Sequence, residues 1–183
     1  MTSTVGRLLL AEPMLGDPNF DRSVVLVIEH SPDGALGLVL NRPTDLLVEE
    51  ALPTWRHLVT EPPVLHIGGP VEARSGWCLA KCSPAGVSTG FVPVLGDTGL
   101  LDLELDPDDV AAHVVAARLY AGYSGWGPGQ LDEELAEEAW IVVDADPDDP
   151  FQADSGELWE RILARQGGHL ARLSLFPRDP SLN

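Results

Sequence analysis

A chain of 183 residues with 44% hydrophobic and 22% charged side chains has the balance of one soluble domain spanning residues 1–183, able to bury roughly 70% of its unfolded surface without a disulfide or metal staple. Its 29 acidic residues against 11 basic ones leave a formal charge of -18, which repels polyanions and argues against direct nucleic-acid binding. The polar N-terminus and the brief apolar run Leu8–Ala11, closed by Glu12-Pro13, predict neither a signal peptide nor a membrane span, so the expected location is the cytoplasm.

In chain order, Arg7–Ala11 is a short apolar run. Ser23–His30 is β-branched and nearly continuous, as a strand buried on both faces would be. The turn Ser31-Pro32-Asp33-Gly34 returns the chain as Ala35–Asn41, which predicts a hairpin. Thr44 is placed to cap a helix through Glu50, ended by Pro53. Strands are expected at Val64–Ile67 and Gly76–Cys82, the second followed by the turn Ser83-Pro84-Ala85-Gly86. Cys78 and Cys82 fall four residues apart on that strand, about 13 Å and beyond disulfide reach, so they read as reduced, partly buried thiols.

Leu101-Asp102-Leu103-Glu104-Leu105 alternates as a half-exposed strand would. Asp106-Pro107-Asp108-Asp109 is a helix start, and Val110, Val114, Ala117 and Ala121 continue it along one face. A glycine-aromatic turn, Gly122–Gln130, then reads as a corner between two helices, the second beginning near Pro128. Ala139–Val143 is a buried strand and Asp144–Asp149 a solvated acidic loop. Ser155-Gly156-Glu157 opens a last helix with Leu158, Trp159, Ile162 and Leu163 inward and Gly167-Gly168 at its end. Strands broken irregularly by helices predict an α+β fold with a mixed sheet.

Catalytic patterns fail on their residues. Asp144, Asp146 and Asp148 have calcium-loop spacing, but Asp149 stands where the sharp turn requires glycine and Ser155 where a bidentate glutamate is needed. The five histidines show no paired metal-ligand spacing, and no metal or cofactor is implied. Gly122-Tyr123-Ser124-Gly125-Trp126 has tryptophan where a nucleophile elbow needs its second glycine, and Gln130 breaks the dinucleotide pattern. What survives is a set of glycines that free backbone N–H groups beside a helix start, the Gly68-Gly69-Pro70 corner, and Asn41-Arg42-Pro43 at a strand end.

Several blocks, taken together, carry a resemblance. Asp17-Pro18-Asn19-Phe20-Asp21-Arg22-Ser23-Val24-Val25-Leu26, Glu29-His30 with Gly34, and Gly37-Leu38-Val39-Leu40-Asn41-Arg42-Pro43 stand in order before Gly68-Gly69-Pro70-Val71. Gly122–Trp126 with Pro128-Gly129-Gln130-Leu131 completes the set. From about Leu8 to Gly168 the chain resembles the YqgE/AlgH family of bacterial proteins. The resemblance implies a mixed, mostly antiparallel sheet partly closed into a barrel and flanked by helices, and no established activity. Members are often labelled transcriptional regulators. Ser124 replaces the family's common alanine and Asp132 its glutamate, and Ala80 stands in place of a histidine.

The expected role is a non-enzymatic binding or regulatory-accessory module, meeting an unknown protein or small polar ligand near Asn41, Arg42, Gly68, Gly69, Trp126 and Gln130. The alternative is an enzyme acting on a small polar substrate through His30 or Glu29 beside the Gly122–Gln130 turn. A further alternative is transcriptional regulation, which the acidity makes indirect rather than DNA-binding.

Overall fold

The computed structural model describes residues 3–13, 17–83, 86–87 and 89–176. The first half runs Arg7–Ala11 (β1), Val24–Ser31 (β2), Gly34–Val39 (β3), Pro43–Leu47 (β4), Val48–Ala51 (α1), Val64–Ile67 (β5) and Val71–Cys82 (β6). The second runs Phe91–Leu95 (β7), Thr98–Leu101 (β8), Pro107–Val110 (α2), Val114–Trp126 (β9), Gln130–Ala136 (α3), Trp140–Asp144 (β10), Leu158–Gln166 (α4) and Gly168–Leu173 (α5). The main path of the sheet is β10-β1-β2-β3-β9-β6-β8-β7, with β5 pairing β4 and β9 off that path. Every pairing is antiparallel except β5 on β9, so the fold is α+β with a mixed, mostly antiparallel sheet.

Period-two alternation turns the apolar runs into two cores on opposite faces. Leu8, Leu10, Val24, Leu26, Leu38 and Leu40 share one face with Leu158, Trp159, Ile162 and Leu163 of α4. Their neighbours Leu9, Val25, Val27 and Val39 share the other with Trp126, Leu131 and Trp140. A strand buried on both faces cannot slip by one residue without exchanging the two cores, so register is strongly specified. A third cluster joins Val48 and Trp55 to Cys78, Ala80, Cys82, Leu101, Ala117 and Leu119. Both thiols are free and buried, and burial raises Cys78 well above its ordinary value.

Strand β9 joins the two halves of the sheet. Ser124, Gly125 and Trp126 pair with β3, whereas most of the strand from Val114 to Ala121 pairs with β6. The β6 register breaks at Gly122, whose φ of +69° is left-handed; Tyr123 still pairs with Val71 of β6, and β3 takes over from Ser124. An added Cβ there would lie 2.6 Å from the Gly69 carbonyl oxygen, and one on Gly69, at φ +157°, would lie 2.2 Å from the Tyr123 carbonyl. Two glycine blocks far apart in sequence are thus the two sides of one backbone crossing.

Four expectations are corrected. The helix starting at Asp106 lasts only from Pro107 to Val110; its cap is present, with Asp106 accepting from Asp108 N–H at 3.0 Å, but the residues from Val114 form the central strand. Ladders to β6 on one side and to β5 and β3 on the other outweigh the helical spacing of Val110, Val114, Ala117 and Ala121. The Gly122–Gln130 corner is therefore mostly strand, with only Gly127–Gly129 turning into α3. Second, β8 ends at Leu101 because Asp102 accepts from Glu104 N–H at 2.9 Å and closes a side-chain turn. Third, Thr44 lies within β4 and donates to the Leu65 carbonyl at 2.8 Å instead of capping a helix.

Fourth, the sheet is not closed into a barrel: its path ends at β10 and β7, and no ladder joins them among the described residues. Pro93 removes a donor from β7. Side chains tie the segment after β10 to β8 and β6, Thr98 Oγ1 donating to the Pro147 carbonyl at 3.1 Å and Lys81 to Asp148 at 2.6 Å. Of the predicted turn Ser83–Gly86, Pro84 and Ala85 lie outside the described residues. No helix among the described residues is long and apolar enough to cross a membrane.

The crossing yields a paired prediction. Gly129, at φ +75°, has open space around its missing Cβ, so Gly129→Ala carries only the left-handed penalty of about 1–2 kcal/mol. Gly122→Ala adds backbone overlap and loses several times as much. Urea unfolding of the two variants checks the order, and equal losses would show that the crossing relaxes freely.

Candidate functional site

Asn41 follows the last residues of the β3 run and is 4% exposed. Its Oδ1 accepts from Val24 N–H at 2.8 Å and its Nδ2 donates to the Arg22 carbonyl at 2.8 Å. One buried amide therefore ties the β2 entry to the loop before it. That loop places Arg22 at φ +50°, a conformation costing about 1–2 kcal/mol in a residue with a side chain and found mostly where surrounding contacts enforce it. The Arg22 guanidinium donates to Glu160 at 3.2 Å and to the Phe176 carbonyl at 2.6 Å, and lies 4.8 Å from the centre of the Trp159 ring.

Arg42 donates to the Asp21 carbonyl and stands between two adjoining hollows. One, of about 200 Å³, is lined by Arg42, Asn19, Val39, Ile67, Gly69 and Pro70. The other, of about 100 Å³, is lined by Arg42, Asp21, Arg22, Asn41, Gly156 and Glu160. The first combines a guanidinium and a carboxamide with an apolar wall, including Ile67 at 48% exposure. Such a surface can hold a small molecule or chain segment with a polar acceptor at one end and aliphatic carbon at the other.

Of the six residues expected from sequence, Asn41, Arg42 and Gly69 meet at this cleft. Gly68 lies behind it, with Val39 N–H donating to its carbonyl at 2.8 Å and no room for a Cβ against the Gly122 carbonyl. Trp126 and Gln130 lie elsewhere. The indoles of Trp126 and Trp140 both donate to Glu134 Oε2 at 2.8 Å, while Gln130 Nε2 donates to Glu134 Oε1 at 2.9 Å. Gln130 Oε1 accepts from Gly127 N–H at 3.0 Å. These two side chains fasten α3 to the sheet. Trp126 also lines a separate hollow of about 350 Å³ with Glu29, Ser31, Asp33, Tyr123 and Gly125.

His30 and Glu29 point to opposite faces, as consecutive strand residues must. The register places Glu29 beside Leu36 and Gly125, and His30 beside Ala35 and Trp126. The His30 ring approaches Thr4 Oγ1 at 2.9 Å through Nδ1 and Asp132 Oδ1 at 3.8 Å through Nε2. The loop Asp144–Asp149 is tied by cations, not simply solvated: Arg7 reaches Asp144, Lys81 reaches Asp148, and Arg165 makes two bonds to Asp149, which is 3% exposed.

A polar cluster escaped sequence reading. Arg118 and His66 are both 0% exposed and Ser155 is 3% exposed. Arg118 Nη1 donates to His66 Nε2 at 3.0 Å, and Ser155 Oγ lies 2.9 Å from the same nitrogen. Nε2 is therefore the acceptor, and Nδ1 carries the proton toward the Val64 carbonyl at 3.3 Å. Burial first, and then the Arg118 charge, lower His66 from 6.5 to about 4. Period-two alternation of Val114–Tyr120 would have placed Arg118 on a buried face, a signal hidden while that stretch read as helix.

The cluster makes stability pH-dependent. Because the folded pKa of His66, about 4, lies below the unfolded 6.5, stabilisation is fully present above pH 6.5 and is lost as pH falls toward 4. At about 1.4 kcal/mol per unit the loss approaches 3 kcal/mol. His66→Gln flattens this slope in urea unfolding at pH 7, 5.5 and 4.5; an unchanged slope in the variant would assign the acid sensitivity to other groups.

Comparison with known proteins identifies the family and the fold. The family described as AlgH-like matches residues 8–171. A UPF0301 protein of Streptomyces coelicolor is 47% identical over 188 residues, covering 100% of this chain and 97% of its own. One from Mycobacterium tuberculosis is 42% identical over 182 residues, covering 97% and 90%. A crystal structure of a Corynebacterium diphtheriae protein superposes with a TM-score of 0.91 at 30% identity, covering 96% of this chain and 94% of that one. The solution structure of AlgH from Pseudomonas aeruginosa gives 0.72 at 28% identity, covering 98% of each. With full-length relatives, a matching fold and the family pattern across residues 8–171, this chain belongs to the AlgH-like family of UPF0301 proteins, whose molecular function is unassigned.

Proposed function

We propose that this chain is a non-enzymatic cytoplasmic binding module, one domain over residues 1–183, which meets a small polar ligand or a polar protein segment at the Arg42 cleft. The observation that carries this reading is that Arg42 lines both adjoining hollows and gathers Asn19, Asn41 and Gly69 from three separate sequence blocks. The polar groups there are braced for recognition, with Asn41 fixing the loop that carries Asp21 and Arg22.

The arrangement supports binding better than catalysis. Glu29 and His30 lie on opposite faces and cannot serve one substrate atom. Ser155 does touch a histidine, but the Nε2 lone pair that would accept its proton is engaged by Arg118 N–H, so the hydroxyl lacks a free base. A regulatory role, as the family label suggests, would be indirect: the net charge of -18 opposes duplex DNA.

Thermal-shift screening with amino acids, short carboxylic acids and sugar phosphates, followed by chemical-shift mapping of the hits, tests the site. A ligand at 100 times its Kd stabilises by about 2.7 kcal/mol. Arg42→Gln should abolish that shift while His30→Gln leaves it intact. Hits that map to the Trp126 hollow and survive Arg42→Gln would move the site.

A further inference from the structure

Arg118 is 0% exposed, and among the described residues no Asp or Glu forms an ion pair with it. Its Nη1 donates to His66 Nε2 at 3.0 Å and its Nη2 to the Glu61 carbonyl at 3.3 Å, both neutral acceptors. Its Nε–H has no partner among the described residues. Two residues along β9, Tyr120 is 1% exposed and its phenolic oxygen also has none among them. Residues two apart on a strand share a face, so one face of β9 presents two buried donors and a positive charge without a counter-charge. The two groups flank the same imidazole, Arg118 Nη1 lying 3.0 Å from His66 Nε2 and the Tyr120 ring meeting the His66 ring edge-on at 5.7 Å between centroids; burial raises the phenol above its ordinary value, so the hydroxyl is protonated and able to donate.

We propose that Arg118 Nε and Tyr120 Oη together hold a small monovalent anion of halide size inside the core, between β9 and the segment carrying Ser155. The chemistry selects the class. A single negative charge compensates the guanidinium, and one spherical acceptor satisfies both donors. A polyoxyanion brings more acceptors than these two donors can satisfy, and a neutral acceptor leaves the charge uncompensated. The neighbouring acceptors offer no substitute, because the His66 lone pair already accepts from Arg118 and lies near Ser155 Oγ. This site is distinct from the Arg42 cleft and stands or falls independently of it.

The test uses the full chain. Thermal unfolding is followed at fixed ionic strength as sodium gluconate is replaced by sodium chloride or bromide. A saturable rise in Tm with either halide is expected. Tyr120→Phe keeps the ring and removes one donor, so it should weaken the halide response about tenfold. In gluconate the same variant should match or exceed wild-type stability, because an unsatisfied hydroxyl has been removed. Arg118→Met should abolish the response. Crystals soaked in bromide should show an anomalous peak between Arg118 Nε and Tyr120 Oη. Coincident chloride and gluconate curves, an undiminished response in Tyr120→Phe, or ordered water at that position without anomalous signal would each overturn the proposal. A bromide peak without any stability response would mark an adventitious ion only and would overturn it as well.

Discussion

At Gly122, strand β9 passes so close to the Gly69 carbonyl that a side-chain carbon would fall 2.6 Å from its oxygen. This contact lets one strand serve two ladders. Before it, β9 pairs with β6; beyond it, after Tyr123 opposite Val71, β9 pairs with β3. Without the close approach the β5–β6 corner would stand away from β9, and the parallel pairing of His66 with Tyr120 would be lost. Both the Arg42 cleft and the Arg118 cluster lie beside that corner. Gly69 lines the first, and His66, three residues before it, supplies the second.

Three polar groups then connect elements that apolar packing alone would leave loosely oriented. Asn41 bonds the β2 entry to the Arg22 loop. Glu134 gathers two indoles and an amide to seat α3. Arg118, through His66, holds Ser155 at the approach to α4. Apolar contacts supply most of the stabilisation but little direction. Hydrogen bonds at buried sites carry a large penalty when broken, so they define geometry more sharply than their net energy suggests.

The sequence was most legible where burial and local preference agree. Val24–Ser31 is β-branched, and the turn at Pro32-Asp33-Gly34 can lead only to a hairpin. The spacing of Leu158, Trp159, Ile162 and Leu163 shows which face of α4 is inward. Legibility failed where two periods fit the same residues. Val110, Val114, Ala117 and Ala121 satisfy a helical face, yet the same region alternates with Arg118 and Tyr120 on one side, and only the partners β6 and β5 decide between them. Asn41, Arg42 and Gly69 stand where polar and glycine residues end strands, and the fold brings these three to one cleft. Trp126 and Gln130 shared that appearance, but Glu134 engages both. His66 and Ser155 had no local signature, since their contact spans 89 residues.

The distribution of charge narrows what the Arg42 cleft can meet. Of the 11 cationic residues, Arg7, Arg22, Arg56, Lys81 and Arg165 pair with the chain's own carboxylates, and Arg118 is buried. The field beyond the surface is therefore negative, and at 0.1 M salt it extends about one Debye length, ~10 Å. A nucleic acid or polyanionic surface carries many charges into that field and is repelled along its whole length. A small ligand with one negative charge or a strong dipole meets little of that repulsion before reaching the guanidinium. In the proposed binding module, selectivity against polyanions would thus come from the body of the protein, with Arg42, Asn19 and the apolar wall at Ile67 supplying the recognition.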